Sequence, residues 1–184
     1  MKAGFALLIG LVLGVIATTC LNSQIASGVS NVIVSSGSSG QILEYCFSPG
    51  GNCDQVIIKY INQASSSVHI MVYEFRLKSI EDSLVGARNR GIEVKLVLDR
   101  AQSQTHSSLY SDLKQNGFDV KIANVAGIMH NKVAIIDQQI VITGSFNYKE
   151  AGVTDNAENI VVINDATLAQ AYQNQFQQLS DQGS

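Results

Sequence analysis

The sequence contains a single proline in 184 residues. That scarcity argues against a proline-rich or disordered low-complexity chain. Basic charge is also scarce, with 12 Lys and Arg against 15 Asp and Glu and a net charge of −3. A chain of that balance does not bind nucleic acid through bulk charge. Any contact with a polyanion has to use a local patch and weaken with salt. Only three cysteines are present, and neither Cys46 nor Cys53 has a His or Cys at ligand spacing, which argues against a zinc site. No internal repeat stands out, and no segment reads as an amphipathic helix for entering lipid. What the chain does have is 46% hydrophobic residues. Its length suits one domain with a proper core.

The N-terminus reads as an address. Lys2 is followed by an apolar run from Ala3 to Thr19, the pattern of a secretory signal. Ala17 and Thr19 are small enough for positions −3 and −1 of a cleavage site before Cys20. Extended to Leu21, the same run nears the length of a bilayer span and could remain as an anchor. A lipidated Cys20 is a third reading, poorly matched by Thr19. Cleavage is preferred, and loss of Lys2 leaves 11 basic against 15 acidic residues, a net charge of −4. The expected organisation is a signal peptide or anchor over 1–21, a Ser/Gly-rich linker over 22–40 and a folded domain over 41–184. The expected location is periplasmic or secreted, with membrane attachment through residues 3–21 if they stay.

Export also bears on Cys46 and Cys53, which flank the turn-rich FSPGGN. A disulfide between them is expected, against the alternative of two unpaired thiols.

Along the domain, strands are expected over Gln41–Phe47, Ser67–Phe75, Ile92–Asp99, Asp119–Ala123 and Asn159–Ile163. Helices are expected between them: one capped by Asp54, one capped by Ser79 and ended by Gly91, and one from Ser107 or Ser108 to Gly117. A last helix should start at Asp165. Strands alternating with helices predict an α/β fold, a mixed sheet flanked by helices.

The chain centres on residues 128–147, IMHNKVAIIDQQIVITGSFN. Two Val/Ile runs around Asp137-Gln138-Gln139 read as a β-hairpin. His130 and Lys132 are two apart, so on a strand they share a face. The return strand can bring Ser145 and Asn147 back to that end. An imidazole, a cation, a hydroxyl and an amide around one cavity suit an oxyanion such as a phosphodiester. Alternation puts Asp137 on the opposite face, where it reads as a turn former. Gly144 reads as permitting close backbone approach. His69 reads as a structural histidine and His106 as a solvated one. Arg76, Lys78 and Arg100, at or just after strand ends, are candidates for contacts to a nucleic-acid backbone. Tyr73, Phe75, Phe146 and Tyr148 read as packing.

H-x-K-x4-D followed by G-S-x-N and an E-N-x-V-V-I strand resembles the signature of the phospholipase D superfamily. With one motif copy in a short, export-like chain, the sequence most resembles the small bacterial endonucleases of that superfamily, over Phe47 to Phe176. The resemblance implies catalytic roles for His130, Lys132, Asp137 and Glu158, and substrate-binding roles for Lys132, Gly144, Ser145 and Asn147. Glu158 would hold the far nitrogen of His130. The family uses two histidines, one to attack phosphorus and one to protonate the leaving alkoxide. This chain has one, so a homodimer with the site on its two-fold axis is implied. No metal or other cofactor is expected, because lysines supply the positive charge. The expected substrate is DNA, with RNA as an additional one. The alternatives are a phospholipase D-type lipid hydrolase and an inactive nucleic-acid-binding protein.

Overall fold

The computed structural model describes residues 40–184. The leader and nearly all of the linker expected from the sequence lie outside those residues. In chain order the elements are β1 (Gln41–Ser48), α1 (Cys53–Gln63), β2 (Ser67–Val72), α2 (Lys78–Asn89), β3 (Glu93–Leu98), α3 (Arg100–Ser103) and α4 (Tyr110–Gln115). They continue with β4 (Asp119–Ile122), β5 (Lys132–Ile136), β6 (Ile140–Gly144), α5 (Glu150–Thr154), β7 (Glu158–Asn164) and α6 (Ala166–Asp181).

The seven strands form one mixed sheet in the order β1-β7-β6-β5-β2-β3-β4. β2, β3 and β4 run parallel, while β5, β6, β7 and β1 pair antiparallel. Helices separate the parallel strands, as such crossovers require, and tight turns suffice for the antiparallel hairpin. Every residue of β2 and of β5 is buried. Their apolar runs are continuous rather than alternating because helices cover both faces. One face packs Val68, Ile70, Val72 and Ala134 against Ile57 and Ile61 of α1 and Ile80 and Leu84 of α2. The other packs Met71, Val97, Val133, Ile135 and Val141 against Ala169, Phe176 and Leu179 of α6.

His69 points to the α6 side and is structural. Its ring stacks on Phe176 at 4.8 Å. Nδ1 lies 2.7 Å from Gln173 Oε1 and Nε2 lies 2.9 Å from Glu93 Oε1. Cys46 and Cys53 form a disulfide, with Cα atoms 5.5 Å apart, tying β1 to the first turn of α1.

Helix starts differ from the sequence reading at three places, one of them α4, which begins at Tyr110 after Leu109 and not at Ser107 or Ser108. Asp54 lies inside the first turn of α1, whose cap position is Asn52 in a left-handed conformation with φ 56°. Ser79 lies inside α2, which begins at Lys78 with Leu77 before it and no side-chain cap. Docking of Ile57, Ile61, Ile80 and Leu84 supplies what the caps do not. Asp165 does cap α6, accepting from Thr167 N and Leu168 N. The short helices α3 and α5 are additional, being too brief to leave a periodic pattern.

Candidate active site

Four strand ends meet at one corner of the sheet. β5 starts at Lys132, which sits opposite Val72, the last residue of β2. On its other side β6 ends at Gly144, opposite Ile160 of β7. His130 lies just before β5, not within it, and is exposed. Its ring and the Lys132 ammonium nevertheless converge, because both rest on Tyr73. The Tyr73 ring lies 4.6 Å from the imidazole at an interplanar angle of 63°. Lys132 Nζ lies 5.1 Å from the centre of the same ring and donates to the His130 carbonyl at 2.8 Å. Tyr73 is thus a site residue that sequence reasoning assigned to packing. Its only signal was its place just beyond a buried strand.

Lys132 is only 9% exposed. Burial pushes its pKa below the usual lysine range and Lys149 adds to this, while Glu158 and Glu74 oppose. These charges therefore share one electrostatic neighbourhood. Glu74 is buried and salt-bridged by Lys149 at 2.5 Å and by Arg76 at 3.2 Å. Arg76 also donates to Gln102 Oε1 at 2.9 Å, and Gln102 Nε2 donates to the Tyr73 hydroxyl at 3.0 Å. Arg76 is accordingly bound up within the protein. Lys78 is exposed and pairs along α2 with Glu81 and Asp82. Among the three cations suggested for backbone contacts, Arg100 and Lys78 are exposed, and Arg100 is the one without a carboxylate partner among the described residues.

Ser145 and Glu158 form a pair of their own. Ser145 Oγ donates to Glu158 Oε2 at 2.5 Å and accepts from Asn159 N at 3.1 Å. Asn156 donates to the other carboxylate oxygen at 3.0 Å. No hydrogen bond joins Glu158 to His130; the carboxylate is instead bonded to Ser145 and Asn156 at the start of β7. Gly144 does serve a close backbone approach, but the neighbour is β7: a Cβ there would lie 2.0 Å from the Asn159 carbonyl oxygen. Asn147 holds its side-chain oxygen buried without a hydrogen-bond partner. A native buried amide left unpaired is uncommon, and this one stands in the loop between Ser145 and Lys149.

Asp137, assigned a catalytic role by the motif, is elsewhere. It lies beyond the far end of β5, roughly 17 Å from Lys132 at about 3.4 Å per residue. Its carboxylate accepts from the backbone N–H groups of Ser65, Ser66 and Ser67 and from the Ser65 and Ser66 hydroxyls. Burial raises its pKa, but these donors outweigh that and hold it at about 2. It anchors the hairpin turn, as alternation along the strand indicated.

Among the described residues no group of three or more His, Cys, Asp or Glu is placed to hold a metal ion.

The PLD-like domain of the cardiolipin synthase family matches residues 57–180. The chain belongs to the phospholipase D superfamily. Among its superfamily relatives, a phospholipase D of Rickettsia typhi is 43% identical over 133 residues, covering 71% of this chain and 65% of that protein's length. The chain thus spans slightly less than two thirds of that relative. The crystal structure of Nuc, a phospholipase D family member from Salmonella typhimurium, is similar with a TM-score of 0.75 and 32% identity, over 79% of this chain and 97% of Nuc. NucT from Helicobacter pylori gives a TM-score of 0.68 and 26% identity, over 76% of this chain and 98% of NucT. Within the superfamily the described domain is thus Nuc-like.

Proposed function

We propose that the protein is an exported, metal-independent endonuclease that hydrolyses phosphodiester bonds of DNA, and of RNA as well, through a phosphohistidine. The observation that carries this reading is the meeting of an exposed His130 with the buried Lys132 ammonium on one aromatic ring, in a chain whose likeness to Nuc runs over 97% of Nuc. His130 attacks phosphorus and the bond to the leaving oxygen breaks. The alkoxide takes a proton from a second imidazole, which then takes one from the water that cleaves the phosphohistidine. Each described subunit has one histidine at this corner, so the second imidazole comes from a second copy across a two-fold axis. Lys132 and the Asn147 amide, from both subunits, meet the phosphate charge where it develops. Ser145, Gly144 and Glu158 hold the loop that presents Asn147.

A second reading is phospholipid hydrolysis. It is favoured by the name of the Rickettsia typhi relative and would gain if residues 3–21 hold the protein at a membrane.

The test is nicking of supercoiled plasmid in EDTA by the oxidised protein and its His130→Ala variant, with sedimentation of the same samples. We expect nicking by wild type alone and a dimeric mass. Absence of nicking on DNA and RNA by a folded dimer would sink the nuclease reading, and hydrolysis of phospholipid vesicles by wild type alone would then establish the second. Full activity in a monomer would exclude the shared site.

A further inference from the structure

A half-open cleft of about 280 Å³ lies beside the candidate site. Its lining includes the apolar Ala101, Val125, Ala126 and Ile128 and the polar Arg100 and Gln104. Ile128 is two residues before His130, so their Cα atoms are within about 7 Å. We propose that this cleft receives an unpaired base of a nucleotide flanking the scissile phosphate, which makes single-stranded nucleic acid the preferred substrate. The proposal rests on the nuclease reading above and deepens it.

Four features point to this occupant. The cleft mixes apolar and polar lining, as a base with a flat apolar face and a polar edge requires, and at about 280 Å³ it lies below the roughly 300–1,000 Å³ typical of drug-sized ligand pockets. It has room for a base and its sugar but little for paired acyl chains. Ile128 is 57% exposed, an apolar surface beside the site on which a planar ring can lie. Arg100 is exposed and donates to Asn124 Oδ1 at 2.6 Å, so its guanidinium is steadied at the edge. There it can stack on a base or pair with the neighbouring phosphate. The floor is rigid. Asp99 is 3% exposed and accepts from Ala101 N and Gln102 N on one oxygen and from Met129 N on the other. One carboxylate therefore fixes both walls of the cleft and the residue before His130. A base inside a duplex is stacked and paired, and would have to be extruded to enter.

The experiment uses the full chain as wild type, Ala126→Leu and Arg100→Ala. Each is given a single-stranded oligonucleotide, its duplex, and an abasic strand of equal length. Wild type should cleave the base-bearing strand about tenfold more efficiently than the abasic one, the scale of one base contact. It should also prefer the single strand over the duplex. Ala126→Leu, which fills the cleft, should abolish that advantage and leave abasic cleavage unchanged. Equal cleavage of base-bearing and abasic strands by wild type, or equal losses on both in the variant, would overturn the proposal. Binding of the same strands to His130→Ala and to His130→Ala/Ala126→Leu, read by fluorescence anisotropy, separates this inference from the catalytic reading. A base preference that vanishes when the cleft is filled supports the cleft even if no strand is cut. Equal binding of base-bearing and abasic strands refutes it.

Discussion

At the residue scale, Asp137 and Lys132 are opposite uses of a charge in one strand. Lys132 is desolvated and held next to other charges, which suits a group that must meet an anion. Asp137 is saturated by the Ser65–Ser67 donors and has nothing left for a substrate. Its pKa is lowered from 3.8 to about 2. A depressed carboxylate stabilises the fold above its unfolded pKa, and the contribution is lost as pH falls through the folded value. The stability that Asp137 confers should therefore be complete above pH 4 and vanish between about pH 4 and 2. Partial solvent exposure screens the pair, so Asp137→Ala should cost about 1 kcal/mol at pH 7. Urea melts at pH 7 and pH 2.5 check this: the gap between wild type and variant should shrink to about a third at pH 2.5, and an undiminished gap there would contradict the assignment.

At the element scale, the β5–β6 hairpin and the β6–β7 junction decide where the site residues stand. Asp137 and Gln138 both have φ of 54°, and Gln139 N bonds to Ile136 O. Two consecutive left-handed residues make this a type I′ turn, which glycine tolerates far better than glutamine. Gln138→Gly should raise stability by about 0.5 kcal/mol, read as a higher Tm with unchanged activity. Gly144 is the converse. Any side chain there would strike the β7 backbone, so Gly144→Ala should separate β6 from β7 and cost about 2 kcal/mol. It should also lower activity more than stability predicts, because Ser145 and Asn147 follow directly. Retained activity with a native melting curve would show that β7 yields.

Much of this element was legible in the sequence. The Val/Ile runs could only be strands, and the Asp-Gln-Gln break could only be a turn. The cap of α6 at Asp165 was legible because it is local. The starts of α1 and α2 were not, since apolar docking, not a capping side chain, positions them. Tyr73 was not legible as a site residue. Its partners His130, Lys132 and Gln102 lie far from it in sequence, and only the pairing of β2 with β5 joins them.

At the scale of the whole molecule, α6 covers one face of the sheet and α1 with α2 covers the other. Phe176 is fully buried against His69, and Phe176→Ala should cost about 3–5 kcal/mol, measured by chemical melting. A loss below about 1 kcal/mol would mean that α6 is not the essential cover.

The sequence by itself determined the mixed α/β sheet, the hairpin, the pair His130 and Lys132, and the structural place of Asp137. These follow from local periodicity, turn chemistry and the alternation of side chains along a strand. Tertiary structure alone decided that Glu158 bonds Ser145 and Asn156 and not His130. It also decided that Tyr73 supports both candidate catalytic groups, and that Arg76 is consumed by Glu74 and Gln102 while Lys78 pairs with carboxylates of its own helix. Those choices depend on which strand ends share a corner and which donors reach a carboxylate first. Register and packing set both, and neither is written in any one segment of the chain.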